Sequence, residues 1–219
     1  QRLEDTIMEL YYNPMSFPSR SVLLFAKALG LSLELKELDL LAGEQFAEDF
    51  IKINPQHCVP LLVDGDIALS ESRAILIYLA DEYAKDDSYY PKDNKERAIV
   101  NQRLFFDLGS LAVRFIETYV PIIWRGQPVN DEMVPKVEDS FSILNTYLDG
   151  KDWLAGDQIT IADYSLVTLV SIAEAIGFDL TRYENVSNWL IRCKETMEDY
   201  EELNQNGLDQ FMTIYNEKL

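Results

Sequence analysis

One histidine, His57, and two cysteines, Cys58 and Cys193, are all the imidazole and thiol groups the chain holds. A metal site made of histidine and cysteine alone therefore lacks its ligands, and a Ser-His-Asp or Cys-His arrangement would have to run through His57. Positive charge is scarce as well: 19 lysines and arginines stand against 38 aspartates and glutamates, a formal net charge of -19. Such a surface repels phosphate backbones and anionic lipid, which argues against nucleic acid or a membrane as partner. Long apolar runs are missing too. The longest, Ala74 to Ala80, falls far short of the ~18 residues that a membrane span needs. The chain starts on charged residues with no apolar segment of the secretory kind, so both cysteines are expected to be reduced thiols in the cytoplasm.

Apolar residues are plentiful. The 219 residues are 47% hydrophobic and 11% aromatic, enough for a sizeable core and too many for a chain that is mainly disordered. The length suits one large domain or two small ones.

The two halves differ in texture. Gln1 to Ile7 fit no element, and Met8 would serve as a natural start, so these residues are set aside as a leader or an addition foreign to the natural chain. Leu10 to Tyr12 read as a strand, and Asn13 to Pro18 as a loop bracketed by prolines. Val22, Phe25, Ala26 and Leu29 recur at helical spacing before Gly30. Leu31 to Leu35 alternate as a strand does, and a short helical run ends near Phe50. Val59 to Val63 and Ile67 to Leu69 flank Asp64-Gly65-Asp66, a hairpin turn, and a helix is expected from Ser70 to Tyr83. This order predicts a small α/β layer at 8–85, a polar linker at 86–94 and a second unit at 95–219. The second unit reads as all helix: Leu104, Leu108, Leu111 and Phe115 mark one stripe, and Val137, Phe141, Leu144 and Leu148 another. Leu166, Leu169, Val170 and Ala173 mark a third, and Val186, Trp189, Leu190 and Cys193 a fourth. Thr160 and Asp163 have the spacing of a capping box.

Four segments carry chemistry: Tyr12 to Ser21 after the first strand, Asn54-Pro55-Gln56-His57-Cys58-Val59-Pro60, Ser70-Glu71-Ser72-Arg73, and Gly156 to Asp163. In this order and spacing they resemble the glutathione S-transferases, most closely the insect delta and epsilon classes. The resemblance covers residues 8 to about 195, and Asn101 to Gly109 are also similar to the delta-type fourth helix. It implies a thioredoxin-like N-terminal domain followed by an all-helical domain, with glutathione as co-substrate and no metal or prosthetic group.

The resemblance also implies roles. Ser16 becomes the hydroxyl that donates to the glutathione sulfur, with Tyr12 and Ser19 as rivals. A free thiol has a pKa of ~8.5, so a donor and a helix N-terminus are both needed to hold it as thiolate. Val59-Pro60 resembles the family's cis-proline bond, beside which the Val59 main chain can pair with the cysteinyl backbone. Glu71 would face the γ-glutamyl ammonium, while Ser72 and Arg73 would face its carboxylate, Arg73 having Asp107 or the partner subunit as alternatives. His57 and Gln45 would meet the glycine end, and Cys58 is a small packing residue of the same site. The electrophile wall is expected from Leu108, Ala112, Phe115, Tyr119, Val120, Trp124 and Phe211.

Departures from the family pattern are visible. Met15 stands where delta enzymes commonly have glycine, Phe17 where they have serine or alanine, and Gln45 where a second histidine is common. The family habit of dimerising the third helix against the fourth implies a homodimer, expected here through apolar faces around Leu79 and Leu104. The reaction implied is transfer of the glutathione thiolate to a hydrophobic electrophile. A non-catalytic carrier of glutathione or apolar ligands is the alternative. A glutathione-dependent oxidoreductase would need cysteine where Ser16 stands.

Overall fold

The computed structural model describes residues 8–219, so the reading of Gln1 to Ile7 lies outside the described residues. Strand β1 (Met8–Tyr12) is the hub of a four-stranded sheet with β2 (Leu33–Glu37), β3 (Leu61–Asp64) and β4 (Ile67–Ser70), in the order β2-β1-β3-β4. β1 runs parallel to β2 and antiparallel to β3, and β3 runs antiparallel to β4. Alternation along β1 sends Met8 and Leu10 into the main core with α1 (Phe17–Ala28) and α3 (Ser72–Tyr83). Tyr11 points the other way and packs on Phe50 of α2 (Glu48–Ile53), ring centroids 5.6 Å apart.

Of the boundaries that differ from the sequence expectation, three have a visible cause. β2 starts at Leu33 rather than Leu31, because Gly30 at φ 70° lets Leu31 N–H turn back to the Ala26 carbonyl and Gly30 N–H to that of Lys27. This six-to-one closure of α1 uses up Leu31 as part of the helix end. β3 starts at Leu61, where pairing with Tyr11 begins. α3 starts at Ser72, because Ser70 is still paired with Leu61 and Glu71 has a φ of 68°, which no helix accommodates.

From Asn94 onward the chain is helical. Asp93 caps α4 (Asn94–Phe106), accepting from the N–H groups of Lys95 and Glu96 at 2.9 and 3.1 Å. A π-turn at Asp107–Leu111 joins α4 to α5 (Ala112–Tyr119). Its wider winding rotates the stripe, so Leu104, Leu111 and Phe115 are buried while Leu108 is 40% exposed, against expectation. α6 (Pro121–Arg125), α7 (Val134–Tyr147), α8 (Ile161–Ala175), α9 (Glu184–Thr196) and α10 (Asn206–Lys218) follow. α8 is buried on every side from Ile161 to Ala173 and packs against α1, α3 and α4, so it is the axis on which both halves rest.

The start of that axis is organised by one buried carboxylate. Asp163 Oδ2 accepts from the Thr160 N–H at 2.8 Å and from its hydroxyl at 3.1 Å, and Oδ1 accepts from Leu154 N–H at 3.0 Å and from Trp189 Nε1 at 2.9 Å. Asp163→Ala strands these donors in the core and is expected to cost about 3 kcal/mol or more of stability. Urea unfolding measures this, and a loss under about 1 kcal/mol would mean that the donors find other partners.

Candidate active site

Ser16 is the N-cap of α1, half-buried, with extended backbone dihedrals and Pro18 just inside the helix. Its loop is tied from both sides. Met15 N–H donates to Asn13 Oδ1 and Ser16 N–H to the Asn13 carbonyl, each at 3.0 Å, while Asn13 Nδ2 reaches the Leu38 carbonyl at 2.9 Å. The Ser16 Oγ accepts from Ser19 N–H at a long 3.4 Å, so its own proton remains free to donate. The first turn of α1 carries no acidic residue to oppose an anion there.

A cavity of about 220 Å³ opens beside Ser16. Met15, Phe17, Pro18 and Leu40 line it from the first half. Phe115 and Ile116 of α5, then Val120, Ile123 and Trp124 around α6, close it from the second, with Ile172 of α8 and Phe211 of α10 opposite. Of the expected wall residues, the structure brings Phe115, Val120, Trp124 and Phe211 to this cavity. Leu108, Ala112 and Tyr119 are not on it. Leu108 is turned outward by the π-turn, Ala112 is buried, and Tyr119 packs its ring on Phe115 at 4.9 Å. Ile116, Ile123, Ile172 and Leu40 were not anticipated. Ile123 follows Pro121 in a short helix that the sequence could have shown, whereas Ile172 lies in a helix buried all round and nothing distinguishes it.

The rivals of Ser16 are placed elsewhere. Ser19 is 0% exposed. The Tyr12 hydroxyl donates to Glu37 Oε2 at 3.4 Å, and burial raises its pKa. Neither lines the cavity.

The segments around His57 and Glu71 are tied together. Buried Asn54 organises its loop by donating to the Cys58 carbonyl at 2.7 Å and accepting from Gln56 N–H at 3.1 Å. Gln56, a residue with no role assigned from the sequence, donates to Glu71 Oε1 at 3.1 Å and accepts from the Ser70 hydroxyl. The Val59–Pro60 bond is cis, and the Val59 main chain lies outside the β3 ladder. Pro60 is buried and Cys58 half-buried, its thiol pushed up by burial. Only three non-glycine residues among those described have positive φ: His57 at 44°, Glu71 at 68° and Asp199 at 53°. Two of the three are therefore expected ligand contacts, and a backbone held in sparsely populated dihedrals is a mark of functional sites. His57 is exposed, its ring 5.1 Å from that of Phe46.

Two expected contacts are engaged inward. Gln45 Nε2 donates to the Leu40 carbonyl at 3.4 Å, and its Oε1 is buried with no donor among the described residues. Arg73 takes the alternative partner. Its Nε and Nη2 both reach Asp107 Oδ2, at 2.9 and 2.6 Å, Ser165 adds a third bond at 2.6 Å, and Arg73 Nη1 donates to the Ser72 hydroxyl at 3.1 Å. Arg73 thus orients Ser72 and binds α3 to α8 through a buried carboxylate. Among the described residues no group of histidine, cysteine and carboxylate side chains converges as a metal set, and no helix is long and apolar enough to cross a membrane.

Residues 7–81 match the family model of the glutathione S-transferase N-terminal domain, and residues 112–196 that of the C-terminal domain. Among solved structures, a delta-class glutathione transferase of Nilaparvata lugens is similar with a TM-score of 0.93 and 43% identity, over 97% of this chain and 100% of the other. An epsilon-class glutathione S-transferase of the housefly, Musca domestica, superimposes with a TM-score of 0.91 at 36% identity, over 96% of this chain and 98% of the other. A glutathione transferase homologue of Drosophila mojavensis with bound glutathione gives a TM-score of 0.89 at 34% identity, over 97% of both chains. The carrier alternative finds no support among them. With both halves matched in order by the family's domain models and insect delta- and epsilon-class enzymes aligned along nearly the whole chain, the protein belongs to the glutathione S-transferase family and is a glutathione transferase.

Proposed function

We propose that the enzyme transfers the thiolate of reduced glutathione to small hydrophobic electrophiles, a detoxifying conjugation, with Ser16 as the hydroxyl that holds the thiolate. The observation that carries this reading is the position of Ser16, a helix N-cap with a free proton at the edge of an apolar cavity built from both halves. The thiol proton leaves to solvent. The sulfur anion that remains accepts from Ser16 Oγ–H and lies at the positive end of α1. The apolar wall then presents the electrophile to the sulfur, making a bimolecular encounter an oriented one. Met15 and Phe17, the departures beside Ser16, face this cavity and favour apolar substrates.

For glutathione itself we assign Glu71 to the γ-glutamyl ammonium, Ser72 and the N-terminus of α3 to its carboxylate, the Val59 main chain to the cysteinyl unit, and His57 to the glycine carboxylate. We divide the chain into a glutathione-binding unit at 8–85, a linker at 86–94 and a helical unit at 95–219. The two free cysteines support a reducing, cytoplasmic setting, which cell fractionation tests. We also propose a homodimer. Leu79 and Leu104, the residues first expected to meet the partner, are buried in their own subunit, at 0% and 3% exposure. Ile99 and Phe105 of α4 are the apolar residues left outside, 39% and 72% exposed. Sedimentation should give twice the 25.2 kDa of one chain, and a mass near that of one chain at micromolar concentration would contradict the dimer.

Ser16→Ala should lower conjugation turnover near neutral pH by about ten- to a hundredfold across a panel of electrophiles, since a hydrogen bond to a charged sulfur is lost. Unchanged turnover would remove Ser16 from the chemistry. Glu71→Ala should weaken glutathione binding by about 2 kcal/mol, because the ammonium loses its anion. Calorimetry that finds native affinity in that variant would contradict the binding assignment.

A further inference from the structure

Arg20 lies in α1, one turn after Ser16, and is 0% exposed. A buried charge is expected to have a carboxylate beside it. Among the described residues Arg20 has none and donates only to neutral acceptors: Nε to Asn204 Oδ1 at 2.9 Å, Nη1 to the carbonyls of Pro14 and Met15 at 3.1 and 3.2 Å, and Nη2 to the Thr168 carbonyl at 3.4 Å. Burial lowers its pKa to about 10, which leaves it a cation at neutral pH. Desolvating an unpaired guanidinium opposes folding, and an apolar side chain would fill the same space without that cost. What the guanidinium supplies is a rigid fork of donors that can hold several segments at once.

The segments it holds are significant. Pro14 and Met15 immediately precede Ser16. Thr168 belongs to α8, and Asn204 to the π-turn that leads into α10. Asn204 is fixed in turn, since its Nδ2 donates to Ser171 Oγ at 3.1 Å and Ser171 donates to the Thr168 carbonyl at 2.8 Å. α10 presses on the same loop. A Cβ at Gly207 would stand 2.1 Å from the Pro14 carbonyl oxygen and 3.0 Å from Arg20 Cδ, so only glycine allows this approach. Thr168 and Gly207 each lie one turn before a residue that lines the cavity, Ile172 and Phe211. The helices that back the Ser16 loop therefore also carry the far wall of the electrophile cavity.

We propose that Arg20 is a positioning residue for the transfer reaction. It holds the Pro14 and Met15 carbonyls, and through them the Ser16 hydroxyl, in register with the α8 and α10 wall, and Gly207 permits the close approach that this register needs. The inference rests on the assignment of Ser16 made above. It implies that disturbing the network spoils thiolate stabilisation without touching the groups assigned to glutathione.

The test compares the native enzyme with Arg20→Lys, Gly207→Ala and Ser16→Ala, using glutathione and a nitro-activated aryl chloride. Arg20→Lys keeps the charge but replaces the fork with one ammonium, which cannot reach Asn204, Thr168 and the loop carbonyls together. Gly207→Ala removes no hydrogen-bonding group and favours the helix, so it tests the loop's position even where Arg20→Lys folds poorly. In both, kcat near neutral pH should fall by about tenfold or more, as expected for a displaced catalytic group. The midpoint of the pH profile of kcat/KM for the aryl chloride, at saturating glutathione, should rise, and KM for glutathione should stay within about twofold. A merely structural role would lower the unfolding midpoint and leave the pH profile where it was. Native kcat and a native pH midpoint in folded Gly207→Ala or Arg20→Lys, beside a loss in Ser16→Ala, would overturn this inference alone. Native turnover in Ser16→Ala would overturn the Ser16 assignment and this inference with it.

Discussion

A thiol held as an anion at neutral pH needs donors aimed at sulfur, and this chain has few ways to supply them. Its lone histidine is exposed beside Phe46 and does not line the cavity at Ser16. Its lysines and arginines are outnumbered two to one by carboxylates. What remains is a neutral donor and an aligned row of peptide dipoles, and the N-terminus of α1 provides both at Ser16. On the proposed assignment, the elements around the loop serve to keep that one hydroxyl in place. The parallel pairing of β1 with β2 positions the strand from which the loop departs, Asn13 stitches the loop to Leu38, and Arg20 braces it from behind.

The two halves are fastened by buried polar groups as well as by apolar packing. Arg20 reaches Asn204 and Thr168, and Arg73 reaches Asp107, which also takes Ser165. Each network begins next to a proposed ligand contact, Ser16 in one and Ser72 in the other, and ends on α8 or just before α10. Apolar contacts would hold the halves together with some freedom to slide. Directional bonds define one register, which is what a reaction between two bound substrates requires. Asp163 completes the arrangement by fixing the start of α8 itself.

Much of this was legible in the sequence, for identifiable reasons. The strand and helix order of the first half followed from alternation and turn residues, and the cis bond at Val59–Pro60 and the N-cap position of Ser16 from their motifs. The failures have physical causes too. Periodicity puts Leu108 on the inner stripe because it assumes unbroken α-helix, and no residue type announces a π-turn. Alternation puts Leu31 in β2, whereas the closure of α1 extends one residue past Gly30 and takes it. Nothing local marks Arg20, because its side-chain partner, Asn204, lies 184 positions away, nor Ile172, because a helix buried on all sides has no face to single out. Local rules see spacing. They do not see which distant element fills the space behind a loop.

The proposed reaction stands on thiolate stabilisation at Ser16, and an ultraviolet titration of bound glutathione measures that directly. In the native enzyme the thiol should titrate below its solution value. In Ser16→Ala the midpoint should move up by about one to two units, since the lost bond favoured only the anion. Part of the depression should survive there, because the N-terminus of α1 is still present. Two coincident curves would contradict the account.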